Sequence, residues 1–211
     1  MRFLIIGPLL VQLIVCAELI DQIAIVVDKS IIKDSDIARE IRVTQLLNNE
    51  FPQINAQERK KTAQKLIDQM LLREEIRTGA YPTATEQEVN SQFKALQNRR
   101  FHSPVLLQTS LKKYQLDETQ LREQIRWQIT VLHFIDARFK PAAIIQDSAV
   151  DAYYHQHEDA LKSNNPNASV DDLKSQAREI LAGEETNRLL FSWLEERRKQ
   201  AKITFLEEGL S

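Results

Sequence analysis

The sequence predicts a mainly α-helical chain: a multi-helix body with a small N-terminal β-hairpin paired with a C-terminal strand. Three observations carry this. Apolar residues recur at spacings of three and four through most of residues 36–200, the period of a helix with one buried face. Only four glycines occur in the whole chain, a poor supply for tight-turned all-β folds or phosphate-binding loops. Two segments, 22–33 and 202–206, leave the helical rhythm for β-branched alternation.

Residues 1–17 differ in kind from the rest. Met1-Arg2 is a positive start, Phe3 to Val15 is apolar apart from Gln12, and Val15-Cys16-Ala17 ends in small residues. That is the pattern of a secretory signal peptide, and the apolar run falls short of the roughly 20 residues of a membrane span. Cleavage is expected after Ala17, which removes Cys16, the chain's one cysteine. The mature chain then holds no disulfide, thiolate metal site or cysteine nucleophile. Cleavage before Cys16 would instead give a lipid anchor, but Val15 stands where a lipoprotein signal has Gly, Ala or Ser. Residues 18–211 are expected to form one domain, large enough to bury a real core.

In the mature chain, Ile23, Ile25 and Val27 alternate with Ala24 and Val26, Asp28-Lys29 makes a two-residue turn, and Ser30 to Lys33 returns. Asp34-Ser35 offers N-cap oxygens for a helix from Asp36, with Ile37, Ile41, Thr44 and Leu47 as its stripe, stopped by Phe51-Pro52. A second helix runs from near Asn55 to Thr78, ends at Gly79, and carries Ala63, Leu66, Ile67, Met70 and Leu71. Thr85 with Glu88 forms a capping box before Val89, Phe93 and Leu96, and Asn98 to His102 breaks that helix. Ser103-Pro104 opens a short helix to Tyr114.

Asp117 caps a long helix to Phe139, with Leu121, Ile125, Ile129 and Leu132 on one face, widened by Trp127, Val131 and Phe134. Asp147 caps a helix through Val150, Tyr153, Tyr154 and Leu161, Asn164 to Asn167 is a loop, and Ser169 with Asp172 caps the last helix. A glycine inside a helix costs about 1 kcal/mol against alanine, so Gly183 marks a kink or break there. A lone hairpin is marginal in water and needs a partner. The 202–206 strand is the one available, and pairing the two would clasp the chain ends together.

Charge is nearly balanced, 28 basic residues against 30 acidic, which argues against a nucleic-acid partner. No P-loop, Gly-x-Gly-x-x-Gly or Gly-x-Ser-x-Gly motif occurs. His155 and His157 are two apart, on opposite sides of a helix, and Asp151 with His155 lacks a third metal ligand. The sequence therefore names no catalytic, metal or cofactor residue.

The order of these segments resembles the SurA family of periplasmic chaperones. Its members open with a D-x-I-x-x-V-V-x-x-x-x-I-x-x-S-[DE]-[IVL] run, and here Asp21, Ile23, Val26, Val27, Ile32, Ser35, Asp36 and Ile37 occupy those positions. "LIDQMLLREEI", "TATEQEVNSQF", "LDETQLREQIRWQITVLHFID", "DSAVDAYYHQH" and "WLEERRKQAKITFLE" are similar to later helices and the returning end. Relatives carry parvulin prolyl-isomerase domains before the last helix. Here 156–171 holds a short linker and no glycine-rich run, so isomerase activity is not carried over.

The resemblance implies nucleotide-independent binding of unfolded exported polypeptides, especially outer-membrane β-barrel precursors, in the periplasm. Met70, Phe93, Phe101, Trp127 and Phe134 are candidates to line a client groove, or else ordinary core residues. The alternative is an envelope scaffold or adaptor with one folded partner. Export is directly testable. Amino-terminal sequencing of the protein from the periplasm is expected to read from Glu18; a lipid on Cys16 or an uncleaved terminus would refute soluble release.

Overall fold

The computed structural model describes residues 21–210. The expected signal segment, Cys16 and the cleavage point lie outside the described residues. The fold is mainly α: seven α-helices and one three-stranded antiparallel sheet among the described residues. The strands are β1 (Ile23–Val27), β2 (Ser30–Lys33) and β3 (Ile203–Phe205), ordered β2-β1-β3. The helices are α1 (Asp34–Asn48), α2 (Ala56–Thr78), α3 (Glu86–Leu96), α4 (Pro104–Lys113), α5 (Glu118–Arg138), α6 (Asp147–Asn164) and α7 (Val170–Gln200). None is long and apolar enough to cross a membrane.

The expected clasp of the chain ends is present. β3 lies antiparallel on the free edge of β1, with Ile25 opposite Phe205 and Val27 opposite Ile203. The turn residue Asp28 explains why Asp-Lys serves where Asp-Gly is commoner. Its φ is 53°, which Asp tolerates better than most residues. Its N–H donates to the Lys202 carbonyl at 2.9 Å, and its Oδ1 accepts the Lys202 N–H at 2.8 Å. A bulge at Ala24 turns Ala24 into the core and leaves Ile23 43 % exposed, so strict alternation fails at that step. The Ala24 carbonyl accepts the N–H groups of Leu206 and Glu207. Beyond a turn at Gly209 (φ 89°), Leu210 inserts into the core at 2 % exposure.

Four apolar clusters form the interior. The first joins the sheet to the first halves of α1 and α2, through Ile25, Ile32, Ile37, Ile67 and Leu210 among others. The second packs the end of α1 against α3, α4 and the start of α5, around Val89, Leu111 and Leu121. The third gathers the ends of α2, α5 and α7 on Phe134. The fourth belongs to α6 and the first half of α7, which form a helical hairpin with its own core of Val150, Tyr154, Leu161, Leu173 and Ala177.

Several sequence expectations are corrected. The first helix starts at Asp34, not Asp36, because the hairpin supplies its acceptors. The Asp34 N–H donates to the Gln22 carbonyl, Asp21 takes the Ser35 N–H, and Asp36 reaches back to the Lys33 N–H. Asn98 to His102 does not break the third helix. Gln97–Phe101 continues it as a π turn that buries Phe101, and the chain turns away at His102 with φ 60°. Leu132 is 59 % exposed, because it borders an open space between α3 and α5 and not the packed side of the helix. Asp147 is the first residue of α6, not its cap, and its carboxylate holds Arg178 at 2.7 Å. Residues 156–164 are helix, so the linker is confined to 165–169.

The Gly183 kink is also overturned. α7 runs through it as one helix of 31 residues, about 46 Å by helical rise. The helix is packed on both sides of the glycine, through Ala177 and Leu173 before it and Leu194 after it, and stays continuous. The non-helical backbone lies instead at His157 in α6, with φ −119° and ψ 16°. A Cβ at position 183 meets nothing within 4 Å. Gly183→Ala is therefore expected to raise stability by about 0.4–1 kcal/mol in urea denaturation, by reducing unfolded-chain freedom. A loss of stability would contradict the continuous helix and open space at this position.

Candidate functional site

The structure sorts the five candidate lining residues. Phe93 and Phe101 are buried in the second cluster, and Trp127 and Phe134 in the third. Met70 is partly buried against the first. The aromatic stripes are thus core, and they do not meet in one open groove. Two of the five still reach a surface: Met70 and Trp127 line neighbouring cavities between α2 and α5.

α2 and α5 converge on Phe134 at one end, where the rings of Tyr81, Phe139 and Trp193 surround that phenyl edge-on at 4.8, 5.5 and 5.7 Å. Away from that end a groove opens between them. Its larger part is about 830 Å³, with Ile76, Tyr81, Ala84 and Trp127 among its lining and Arg73, Arg77, Glu123 and Arg126 as its charged groups. The smaller part, about 190 Å³, reaches past Met70 to Val43 and Ile32. Arg73 and Glu123 line both. Such a volume lies in the range of ligand clefts, although this one is open and shallow in form.

Arg73 divides the groove. Its guanidinium lies 3.9 Å from the centre of the Trp127 ring, a cation–π stack. Lost hydration lowers its pKa from the ordinary arginine value, with Arg39 adding to the shift and Glu40 and Glu123 opposing it. It stays charged at any working pH. Several other polar groups of the walls have partners. Arg77 pairs with Glu74 and Arg126 with Glu86. The Tyr81 hydroxyl accepts from Arg138 at 3.0 Å, and the Ala84 N–H donates to the Thr130 hydroxyl at 3.0 Å. Glu40, buried in α1, is held by Lys65 at 2.7 Å.

Sequence reasoning missed this arrangement because its signal is a single arginine one helical turn before Ile76 on a polar-rich helix, which reads as a solvated face. The partner ring, Trp127, was legible as apolar, for a groove or for the core, but not as the seat of a cation.

Elsewhere, Asp151 pairs with Lys174 at 2.7 Å, and that hydrogen bond holds its carboxyl below the usual range. His157 stacks on Tyr153 at 4.3 Å between ring centres. His133 meets Glu88 at 2.9 Å, while Glu88 also accepts the Thr85 N–H and hydroxyl that complete the α3 capping box. Among the described residues no three carboxylate, imidazole or thiol groups cluster as a metal site would require. No protein-family model matches the chain, and no curated protein matches its sequence.

Proposed function

We propose that this protein is a nucleotide-independent periplasmic chaperone of SurA type, holding unfolded exported polypeptides, outer-membrane β-barrel precursors above all. The observation that carries the reading is how the residues of the resemblance are used. Asp21 and Ser35, the two polar ends of the opening motif, are joined directly: the Ser35 hydroxyl donates to Asp21 at 2.5 Å. The apolar positions Val27, Ile32 and Ile37 lie side by side in the first core. The terminal "KITFLE" returns to the same sheet. A motif whose members interlock in this way supports a common body plan better than a chance run of amphipathic helix does.

The surface is compatible with a dispersed client. Phe51, Val105, Leu106, Leu132, Ile144 and Phe191 are all more than half exposed and scattered along different elements. With the groove between α2 and α5, they offer many small apolar contacts instead of one deep pocket. A barrel precursor, apolar at alternate positions, presents a matching dispersed surface. Release would then follow from competition or client folding, with modest affinity because a disordered client bears its ordering cost on binding.

The test is aggregation of a urea-unfolded β-barrel precursor diluted into buffer without nucleotide. The purified mature protein is expected to delay aggregation, with little weakening as salt is raised, since its charge is nearly balanced. No suppression across several unfolded clients, together with one stoichiometric folded partner recovered by crosslinking, would establish the scaffold alternative instead.

A further inference from the structure

Residues 89–116, from α3 through the π turn to the end of α4, hold five lysines and arginines and no aspartate or glutamate. The whole chain has slightly more acids than bases, 30 against 28, so the balance reverses locally. The fold gathers these cations. Arg99, Arg100 and Lys113 line a hollow of about 400 Å³ that has no carboxylate in its lining. Lys113 and Arg42 line a smaller one beside Pro52 and Ile54, again without a carboxylate. Among the described residues Arg42, Arg99, Arg100, Lys112 and Lys113 form no ion pair. Arg99 and Arg100 donate to the Ala95 and Leu46 carbonyls, and Lys113 lies over the Phe51 and Tyr114 rings. Three carboxylates border the region. Glu50 takes the Asn48 amide, Glu58 the Gln45 amide, and Glu118 holds Arg122. Five cations thus face two carboxylates that lack a cation of their own, and Arg99, Lys112 and Lys113 are exposed.

Beside the cations, apolar side chains stand out from the body. Phe51 is 76 % exposed on the loop after α1, and Val105 and Leu106 are 73 % and 53 % exposed on the first turn of α4. Leu106, Ser110 and Lys113 follow one another at spacings of four and three on one face of α4. Leu106 therefore extends the strip that runs through Lys113 to Phe51. The loop bearing Phe51 is fastened on both sides. The Gln45 side chain bonds the N–H and carbonyl of Gln53, and the Tyr114 hydroxyl donates to the Glu50 carbonyl at 2.6 Å.

We propose that this end of the molecule docks on an anionic phospholipid surface. Phe51, Val105 and Leu106 enter the interface, and Arg99, Lys112 and Lys113 meet lipid phosphates. Charge selects an anion, and shape selects the bilayer. The apolar groups project from a loop and a helix start instead of lining a recess, which suits entry between headgroups and gives an acidic peptide no slot. Apolar insertion joined to Coulomb attraction is how interfacial segments hold a membrane. The docking goes beyond client holding and does not depend on it.

Co-sedimentation with phospholipid vesicles tests this. The purified mature protein is expected to pellet with phosphatidylcholine vesicles holding about 30 % phosphatidylglycerol at about 50 mM salt, and to be released at about 0.5 M salt, where screening is short-ranged. With pure phosphatidylcholine it should stay in solution. Lys112→Glu/Lys113→Glu should weaken binding roughly tenfold or more, since each cation near such a surface contributes about fivefold. Lys29→Glu/Lys199→Glu, the same charge change at exposed lysines of the hairpin turn and α7, should alter it by less than about twofold. Phe51→Ser/Leu106→Ser should weaken binding several-fold with every charge kept. Circular dichroism checks that each variant is folded.

No pelleting with the anionic vesicles, equal pelleting with neutral ones, or an equal loss in both charge-reversal variants would overturn the proposal. So would full binding by the serine variant, which would make the patch a general polyanion site for an acidic soluble partner. The outcome is separable from the chaperone reading, whose client binding is expected to persist at the salt that releases the vesicles.

Discussion

Everything in this fold depends on one constraint: a short hairpin that cannot stand alone is completed by a strand about 175 residues away in the chain. The join is built from several modest interactions. Asp28 contributes two hydrogen bonds to Lys202, and Ala24 accepts two more from residues 206 and 207. Arg59 at the start of α2 then ties the strand to the helices, binding Asp34 at 2.5 Å and Glu207 at 2.5 and 2.6 Å. Each bond to the charged partners is worth on the order of 1 kcal/mol when half-exposed. The apolar anchor is Leu210, which is fully enclosed beside Ile25, Ile32 and Ile67.

The three long helices distribute that constraint through the body. α2 joins the first cluster to the third, α5 joins the second to the third, and α7 joins the third to the fourth. Arg198 secures α7 to α2 by holding Asp68 at 2.5 Å and the Gln64 carbonyl at 2.9 Å. Arginines also lie over aromatic rings where the clusters meet solvent. Arg122 lies 3.9 Å from the Phe93 ring centre, as Arg73 does from Trp127, and Arg138 joins Glu75 and Tyr81 above the Phe134 cluster. Arg73 differs from the other two in being more exposed and in having no hydrogen-bonded acceptor among the described residues.

Much of the fold was legible because its signals are local. Thr85 with Glu88 and Ser169 with Asp172 are capping boxes in sequence and in structure, and Asn55, Ser103 and Asp117 cap the helices that follow them. The clasp was legible from scarcity, since two strand-like segments had to find each other. What stayed hidden depends on tertiary context. The start of α1 moved because Gln22 and Asp21 accept the N–H groups of Asp34 and Ser35 themselves, which lets both residues join the helix they were expected to precede. The π turn at Gln97–Phe101 has no propensity signature; it exists because Phe101 fits the second core and Arg100 reaches the Leu46 carbonyl. Gly183 looked like a hinge, yet the packing on either side outweighed its roughly 1 kcal/mol penalty. The groove was invisible because helical spacing tells which residues are apolar but not where two helices part.

The central claim is that the returning segment completes the body and is not an appended tail. Deleting residues 202–211 and following urea denaturation by circular dichroism and tryptophan emission tests it most directly. Enclosing Leu210 alone is worth about 2–5 kcal/mol against truncation to alanine, a large share of a typical domain stability of roughly 5–15 kcal/mol. The account expects the midpoint to fall sharply in both signals together, with amide protection lost along Ile23–Val27. An unchanged midpoint and slope, with those amides still protected, would contradict it.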